Sequence, residues 1–368
     1  MSYRSRLTVG ARREGGLRDV AETDRRRFLQ AAVGSVITGA SLMGRTSAAA
    51  AQASATPTAV SVSSPTRAPG VQAEPGNGRA AAAGLCIDTH MHVWTGDPQR
   101  FPFAHPFDPA YRPPATAATV ELLIAEMDAC GISHCVLVQT ICHGWDNRYL
   151  AECIRAHPDR FRGHGLIDPT DPGVADRLEF WIREHKLSGM RFSPLYYLNR
   201  DDWLDAAGSR RLWQKATELK AVFNFFITTS QLPRLETMIA GFPEVRVVID
   251  HLARVDLRVS DPLPEFRKLL ALARYPSVSV KVSELSVLSP SGVYPYSDTF
   301  PWVRRLYDAF GPDRLLWGTG FPGATRAEAG RPTLTQELDL IRREIPFLND
   351  DDRGRILGRN AAGLWGFT

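Results

Sequence analysis

Several features that would settle the class of this chain at once are missing. Its five cysteines (Cys86, Cys130, Cys135, Cys142, Cys153) have no CxxC spacing, which argues against a zinc ribbon or a dithiol redox pair, and their odd number leaves at least one unpaired. The apolar run from Ala31 to Met43 is too short for a permanent membrane span, which needs about 20 apolar residues. No Gly-rich phosphate turn follows the first apolar β-type run, so the dinucleotide-binding arrangement has no anchor. A basic body is missing too. The formal net charge of +4 is concentrated at the start, where residues 1–84 hold eleven Arg and five acidic residues. The remainder carries 33 basic and 35 acidic residues, so nothing in its charge calls for nucleic acid or an anionic membrane surface.

What is present begins with targeting. Asp24-Arg25-Arg26-Arg27-Phe28-Leu29-Gln30 sets a twin arginine before an apolar pair, followed by the uncharged run and then by Ala48-Ala49-Ala50. Charged, apolar and small regions in that order read as an export signal of the twin-arginine type, placed here at residues 1–50. The expected partner is the twin-arginine export machinery, and the expected location is the periplasm or another exported compartment. Residues 51–84 are almost entirely Ala, Ser, Thr, Pro, Gly and Val and read as a flexible linker. Substrates of that route fold in the reducing cytoplasm, so the cysteines are expected as buried free thiols.

The body, residues 85–368, alternates short apolar runs with amphipathic stretches. Strands are predicted at 85–88, 134–139, 161–166, 189–191, 222–228, 246–250, 278–282 and 315–318, with helical patterns between them and two more at the end. Eight β-then-α units predict an α/β fold closed as a (β/α)8 TIM barrel, whose chemistry belongs at the carboxyl ends of the strands.

The polar residues at those ends are the candidate site. His90 and His92 follow the first strand at i and i+2, a spacing that turns both imidazoles to one side of an extended chain, toward one metal ion or one substrate. The pair Asp250-His251 closes the apolar run Val245–Ile249. In Val278-Ser279-Val280-Lys281-Val282-Ser283-Glu284, period-two alternation puts Ser279, Lys281 and Ser283 on one face, with Glu284 at the junction to the loop. Arg191 ends the fourth strand as a candidate carboxylate clamp, and Gln139 ends the second as a candidate carbonyl donor. Each has a plainer reading: Glu284 paired with Lys281, Arg191 paired with Asp168 or Asp202. His143 and His164 read as surface or packed histidines.

Asp88-Thr89-His90-Met91-His92-Val93-Trp94 resembles the opening of amidohydrolase family 2 proteins. So do Val136-Leu137-Val138-Gln139, Gly189-Met190-Arg191, Val248-Ile249-Asp250-His251 and Leu316-Trp317-Gly318-Thr319. The resemblance spans nearly the whole body. It implies a hydrolase whose relatives include carboxylic-acid lactonases, sugar lactonases and a zinc-dependent decarboxylase. In members that use a metal, it implies ligation by the HxH pair, a histidine after the fifth strand and an aspartate after the eighth, with the sixth-strand histidine in acid–base work. The lactonase branch implies no tightly bound metal.

The chain departs from that pattern twice. No histidine occurs from Leu219 to Pro243, and the eighth strand continues Gly318-Thr319-Gly320 with no aspartate between Asp313 and Asp339. His90 and His92 alone make an incomplete site for a divalent metal such as zinc, since catalytic zinc usually takes three protein ligands. The reading is therefore hydrolysis of a lactone or related cyclic ester or amide bearing a carboxylate, with no tightly bound cofactor. His90, His92 and His251 polarise the carbonyl, His251 or Glu284 activates water, and Arg191, Gln139, Lys281 and Thr319 hold the substrate. Two alternatives stay open: a metal-dependent decarboxylase or amide hydrolase with a rebuilt site, and a binding protein on a hydrolase scaffold.

Overall fold

A computed structural model describes residues 85–196, 201–320, 326 and 330–368. The segments read as signal and linker lie outside the described residues. Eight parallel strands form one sheet in sequence order: β1 (Ile87–Met91), β2 (His134–Val138), β3 (Phe161–Gly165), β4 (Gly189–Phe192), β5 (Val222–Phe225), β6 (Arg246–Ile249), β7 (Val278–Val282) and β8 (Leu315–Trp317). Helices α1 (Val120–Cys130), α2 (Arg148–Ala156), α3 (Val174–Arg183), α4 (Ala207–Leu219), α5 (Leu232–Gly241), α6 (Leu263–Ala271) and α7 (Phe300–Phe310) cross back between them. After β8 come α8 (Leu334–Asp339), α9 (Asp350–Gly354) and α10 (Asn360–Trp365), the first two each running on into a π-helical turn. This is the (β/α)8 barrel, nearly closed. Thr89 Oγ1 donates to the Trp317 carbonyl (2.6 Å) and the Gly320 N–H to the His90 carbonyl (2.6 Å), drawing β1 and β8 together.

The elements form where local chemistry tells them to. Gly131, at φ 68°, terminates α1 in the left-handed conformation that a Cβ resists. Pro233, Pro264 and Pro301 open α5, α6 and α7 in the first turn, where a missing N–H costs nothing. Gly189 is required for β4 to reach β5, because a Cβ there would lie 1.8 Å from the Val222 carbonyl oxygen.

Two apolar layers result. The larger lies between strands and helices and includes Met190, Phe192, Phe223, Phe225, Val247 and Ile249. The smaller fills the floor of the barrel. There Ile87, Val136, Val138, Val222, Val248 and Leu316 pack on Ala361, Trp365 and Phe367, so the last helix plugs the N-terminal ends of the strands. Arg162 donates to the Trp365 and Gly366 carbonyls and Arg246 to that of Leu364, satisfying the end of α10 with two cations. By strand alternation, His164, Arg191, Asn224, Asp250 and Lys281 point to the same interior as the floor valines. The barrel is thus apolar below and ionic above.

The predicted strands overrun their observed ends at β2, β3, β5, β6 and β8. At two of these ends the backbone pairing persists one residue past the strand: the Gln139 N–H donates to the His164 carbonyl (2.8 Å) and the Asp250 N–H to the Phe225 carbonyl (3.0 Å). At β1 the shift is opposite. The strand runs on to Met91 with a register slip between Asp88 and Met91, so His90 lies inside the strand and His92 just beyond it.

Candidate active site

Asp88 ties down the rim from below. Its carboxylate accepts from the His90 N–H (2.9 Å), the Thr319 N–H (3.2 Å) and Thr319 Oγ1 (2.8 Å), so Thr319 spends its hydroxyl on joining β8 to β1. His90 is fully buried above it. Its Nδ1 lies 3.0 Å from Lys281 Nζ and 3.3 Å from Asp250 Oδ1, while its Nε2 is buried with no protein partner. His92 sets Nδ1 2.7 Å from the Val138 carbonyl. The two rings meet edge to face with centroids 5.0 Å apart. His251 comes from β6 to a ring-centroid distance of 4.4 Å from His90, with Nδ1 2.8 Å from Ser283 Oγ. Three imidazoles from the ends of the first and sixth strands therefore form one cluster.

His251 is carried on an unusual turn. His251, Leu252, Ala253 and Arg254 have φ of 51°, 51°, 52° and 50°, a full left-handed turn without a glycine. Each such residue costs about 1–2 kcal/mol relative to a right-handed one. Strain of that kind persists where surrounding structure over-determines it, as at functional sites. Here the turn projects His251 and Arg254 into the rim together.

Charge in the cavity centres on Asp250. Its Oδ1 lies 3.1 Å from Lys281 Nζ and 3.5 Å from Asn224 Nδ2, and its Oδ2 accepts from Arg191 Nε at 3.2 Å. Lys281 also donates to the Thr89 carbonyl at 2.7 Å. Burial works to raise the Asp250 pKa, but the Lys281 and Arg191 cations outweigh it and hold the carboxyl well below the usual range. Glu284 behaves alike. Arg254 donates to its Oε2 (2.7 Å) and Arg331 to its Oε1 (3.3 Å), and these two cations keep it ionised against the cost of burial. Arg191 and Arg254 both stand over the Phe226 ring, 4.6 and 5.6 Å from its centroid. The imidazoles are pushed the other way. Burial, assisted by Arg191, takes His92 down to about 3, and burial takes His251 down to about 4. They are neutral at pH 7.

Sequence alone placed Lys281 on the inner face without its partners. It pairs with Asp250, and Glu284 pairs with arginines, so the two do not bridge each other. Gln139 is buried and donates to the Asp146 carbonyl (2.9 Å), turning toward the β2–α2 loop. His164 is a packed histidine whose Nε2 accepts from Trp365 Nε1 at 2.7 Å. Arg254, Asn224 and Arg331 were missed, and Asp250 was read only as the neighbour of His251, without a role. A signal existed for two of them: Asn224 breaks an aromatic strand between Phe223 and Phe225, and Asp250 continues the inward period from Val248.

Among the described residues, the group whose donor atoms all lie within 4.8 Å of one another is His90, Asp250 and His251. Distance allows a cation there, but the Lys281 ammonium already stands against two of the three, 3.0 Å from His90 Nδ1 and 3.1 Å from Asp250 Oδ1. A divalent ion against that ammonium would meet full repulsion in a dry site. The eighth-strand position offers Gly320 instead of a ligand, and a Cβ there would lie 2.8 Å from Glu284 Oε1. Glu284 fills the space that a side chain from β8 would take.

The family model described as amidohydrolase matches residues 87–367. Among curated proteins, 4-sulfomuconolactone hydrolase of Rhizobium radiobacter is 30% identical over 285 residues, covering 76% of this chain and 89% of that protein. The 2-pyrone-4,6-dicarboxylate hydrolase of Comamonas testosteroni is 29% identical over 250 residues, or 64% of this chain and 76% of that protein. Among solved structures, an amidohydrolase from Burkholderia multivorans with bound zinc superposes with a TM-score of 0.62 at 22% identity, over 77% of this chain and 100% of that one, a likeness of fold.

Proposed function

Because the chain belongs to the amidohydrolase family and is a hydrolase of that superfamily, we propose that it opens an anionic lactone or related cyclic ester without a tightly held metal. The relatives named for a sulfomuconolactone and a pyrone dicarboxylate support that substrate class. The observation that carries the reading is the pairing of Gly320 with Glu284: the carboxylate missing from β8 is supplied from the end of β7, into the same space.

The chemistry follows from the groups present. Arg191, Arg254 and Arg331 make the cavity attractive to an anion. His90 donates to the carbonyl oxygen and stabilises the oxyanion that forms there. Glu284, with His251 beside it, takes a proton from water as its oxygen attacks the carbonyl carbon. The tetrahedral centre collapses, the ring oxygen leaves, and that oxygen takes up the proton to give a hydroxy acid. Arg254 and Arg331 depress Glu284 in the empty cavity. As they turn to the substrate's anion they release it, and its basicity rises when it is needed.

The test is a lactone panel run on natively purified protein with and without chelator. Turnover is expected to survive chelation, and Glu284→Gln is expected to lower kcat by about 10²–10⁴-fold. Stoichiometric zinc together with turnover abolished by chelator would overturn the reading. The twin-arginine signal leads us to propose export as well. It is supported by five free thiols in the folded body, four of them buried. Replacing Arg25 and Arg26 with Lys should retain the protein in the cytoplasm, as fractionation would reveal.

A further inference from the structure

The HxH pair looks symmetric in sequence, but its hydrogen bonds are not. An ε-ammonium has three protons and no lone pair. Lys281 has three acceptors around it: the Thr89 carbonyl at 2.7 Å, His90 Nδ1 at 3.0 Å and Asp250 Oδ1 at 3.1 Å. The contact with His90 is a hydrogen bond only when Nδ1 presents its lone pair. A neutral imidazole with a bare Nδ1 carries its proton on Nε2, and that Nε2 is the buried atom with no protein partner. His92 is the reverse case. A backbone carbonyl only accepts, so the 2.7 Å contact with Val138 puts the His92 proton on Nδ1 and leaves Nε2 bare.

We infer that Lys281 is a positioning residue that locks His90 in its Nε2–H tautomer, giving the two rings opposite polarity: His90 a neutral donor for the substrate carbonyl oxygen, His92 an acceptor. The inference deepens the lactone reading, on which its catalytic part rests, but the tautomer itself is a property of the free protein. His90 stays neutral because burial and the Lys281 charge both push its pKa well down. The competitor is Asp250 Oδ1, 3.3 Å from Nδ1, which would accept an Nδ1 proton if Lys281 were absent. The lock also bears on metal binding. An Nε2 that holds a proton offers no lone pair to an ion, so the lysine that stands where a cation could sit also disarms the histidine that would ligate it.

The experiment is ¹⁵N NMR of histidine-labelled, full-length protein, with His90 assigned by its disappearance in His90→Gln. Wild type should show the His90 proton on Nε2 and the His92 proton on Nδ1. In Lys281→Met, His90 should switch to Nδ1–H, and kcat on a lactone substrate should fall by about 10²-fold with KM nearly unchanged, as for loss of one oxyanion donor. An Nδ1 proton on wild-type His90 overturns the inference, as does an unchanged tautomer in Lys281→Met. If that variant does not fold, the wild-type spectrum decides alone. If no lactone is hydrolysed, the spectra still stand, so failure of the function and failure of the tautomer lock are told apart.

Discussion

Ile87, Val136, Val222, Val248 and Leu316 fill the floor of the barrel with aliphatic side chains against Trp365 and Phe367, while nearer the carboxyl ends of the strands the interior holds His90, Arg191, Asn224, Asp250 and Lys281. The floor is held by area removed from water, which has no direction and tolerates reshaping at constant volume. The rim is held by charges and hydrogen bonds whose partners are each single and placed. Such a network stabilises only while it is complete, because removing one member leaves the others buried and unpaired. The floor therefore keeps the barrel closed, and the rim gives it something to do.

Acid should separate the two ends most. His90, His92 and His251 at the rim and His164 above the floor are neutral in the fold, with pKa values depressed to about 3 for His92 and His164 and about 4 for His251. In the unfolded chain they titrate near 6.5, so the unfolded state binds more protons below that pH. Stability is fully present above about 6.5 and is lost as pH falls toward the folded values. By pH 5.5 each imidazole should cost about 1 kcal/mol, and the four together roughly 4–5. Chemical denaturation at pH 7.5 and 5.5 measures this, and equal midpoints would mean that the imidazoles are not sealed from solvent. Next in size, Asp250→Asn should cost about 3–5 kcal/mol despite its near-identical shape, because Lys281 and Arg191 lose their counter-charge. Trp365→Ala should cost about 3 kcal/mol by removing an indole and its bond to His164, with turnover per folded molecule unchanged. A selective loss of turnover in Trp365→Ala would break the division between the two ends. The smallest effect is expected at the left-handed turn. Ala253→Gly relieves one strained residue and should leave Tm level or raise it, by up to about 1 kcal/mol of stability. A clear drop in Tm would show that the turn is not strained.

The alternation of elements was readable because each βα unit carries its own period, and β7 was predicted at its observed bounds, Val278–Val282. The strand ends were less so. Gln139 and Asp250 each keep a last backbone bond to the neighbouring strand while their side chains turn to Asp146 and to Lys281 and Arg191. The site was readable as residue types at strand ends, not as connections. Lys281 reaches Thr89 across 192 residues and Thr319 reaches Asp88 across 231, and no local pattern encodes a partner that far away. The left-handed turn at His251–Arg254 left no mark in composition, since none of its residues is the glycine or asparagine such a turn favours. Gly320 was read as a loss. Its meaning needed the neighbour that occupies the vacated space.

The floor's closing piece is synthesised after all eight strands. Ala361, Trp365 and Phe367 close the bottom of a barrel whose first strand begins at Ile87, so a nascent chain on the ribosome holds its strands without a base to rest on. At about 5–20 residues per second, roughly 15–60 s pass between the appearance of the twin arginine and the arrival of that plug. The strands gain their base only when Trp365 seats, so the finished barrel cannot precede the synthesis of that plug.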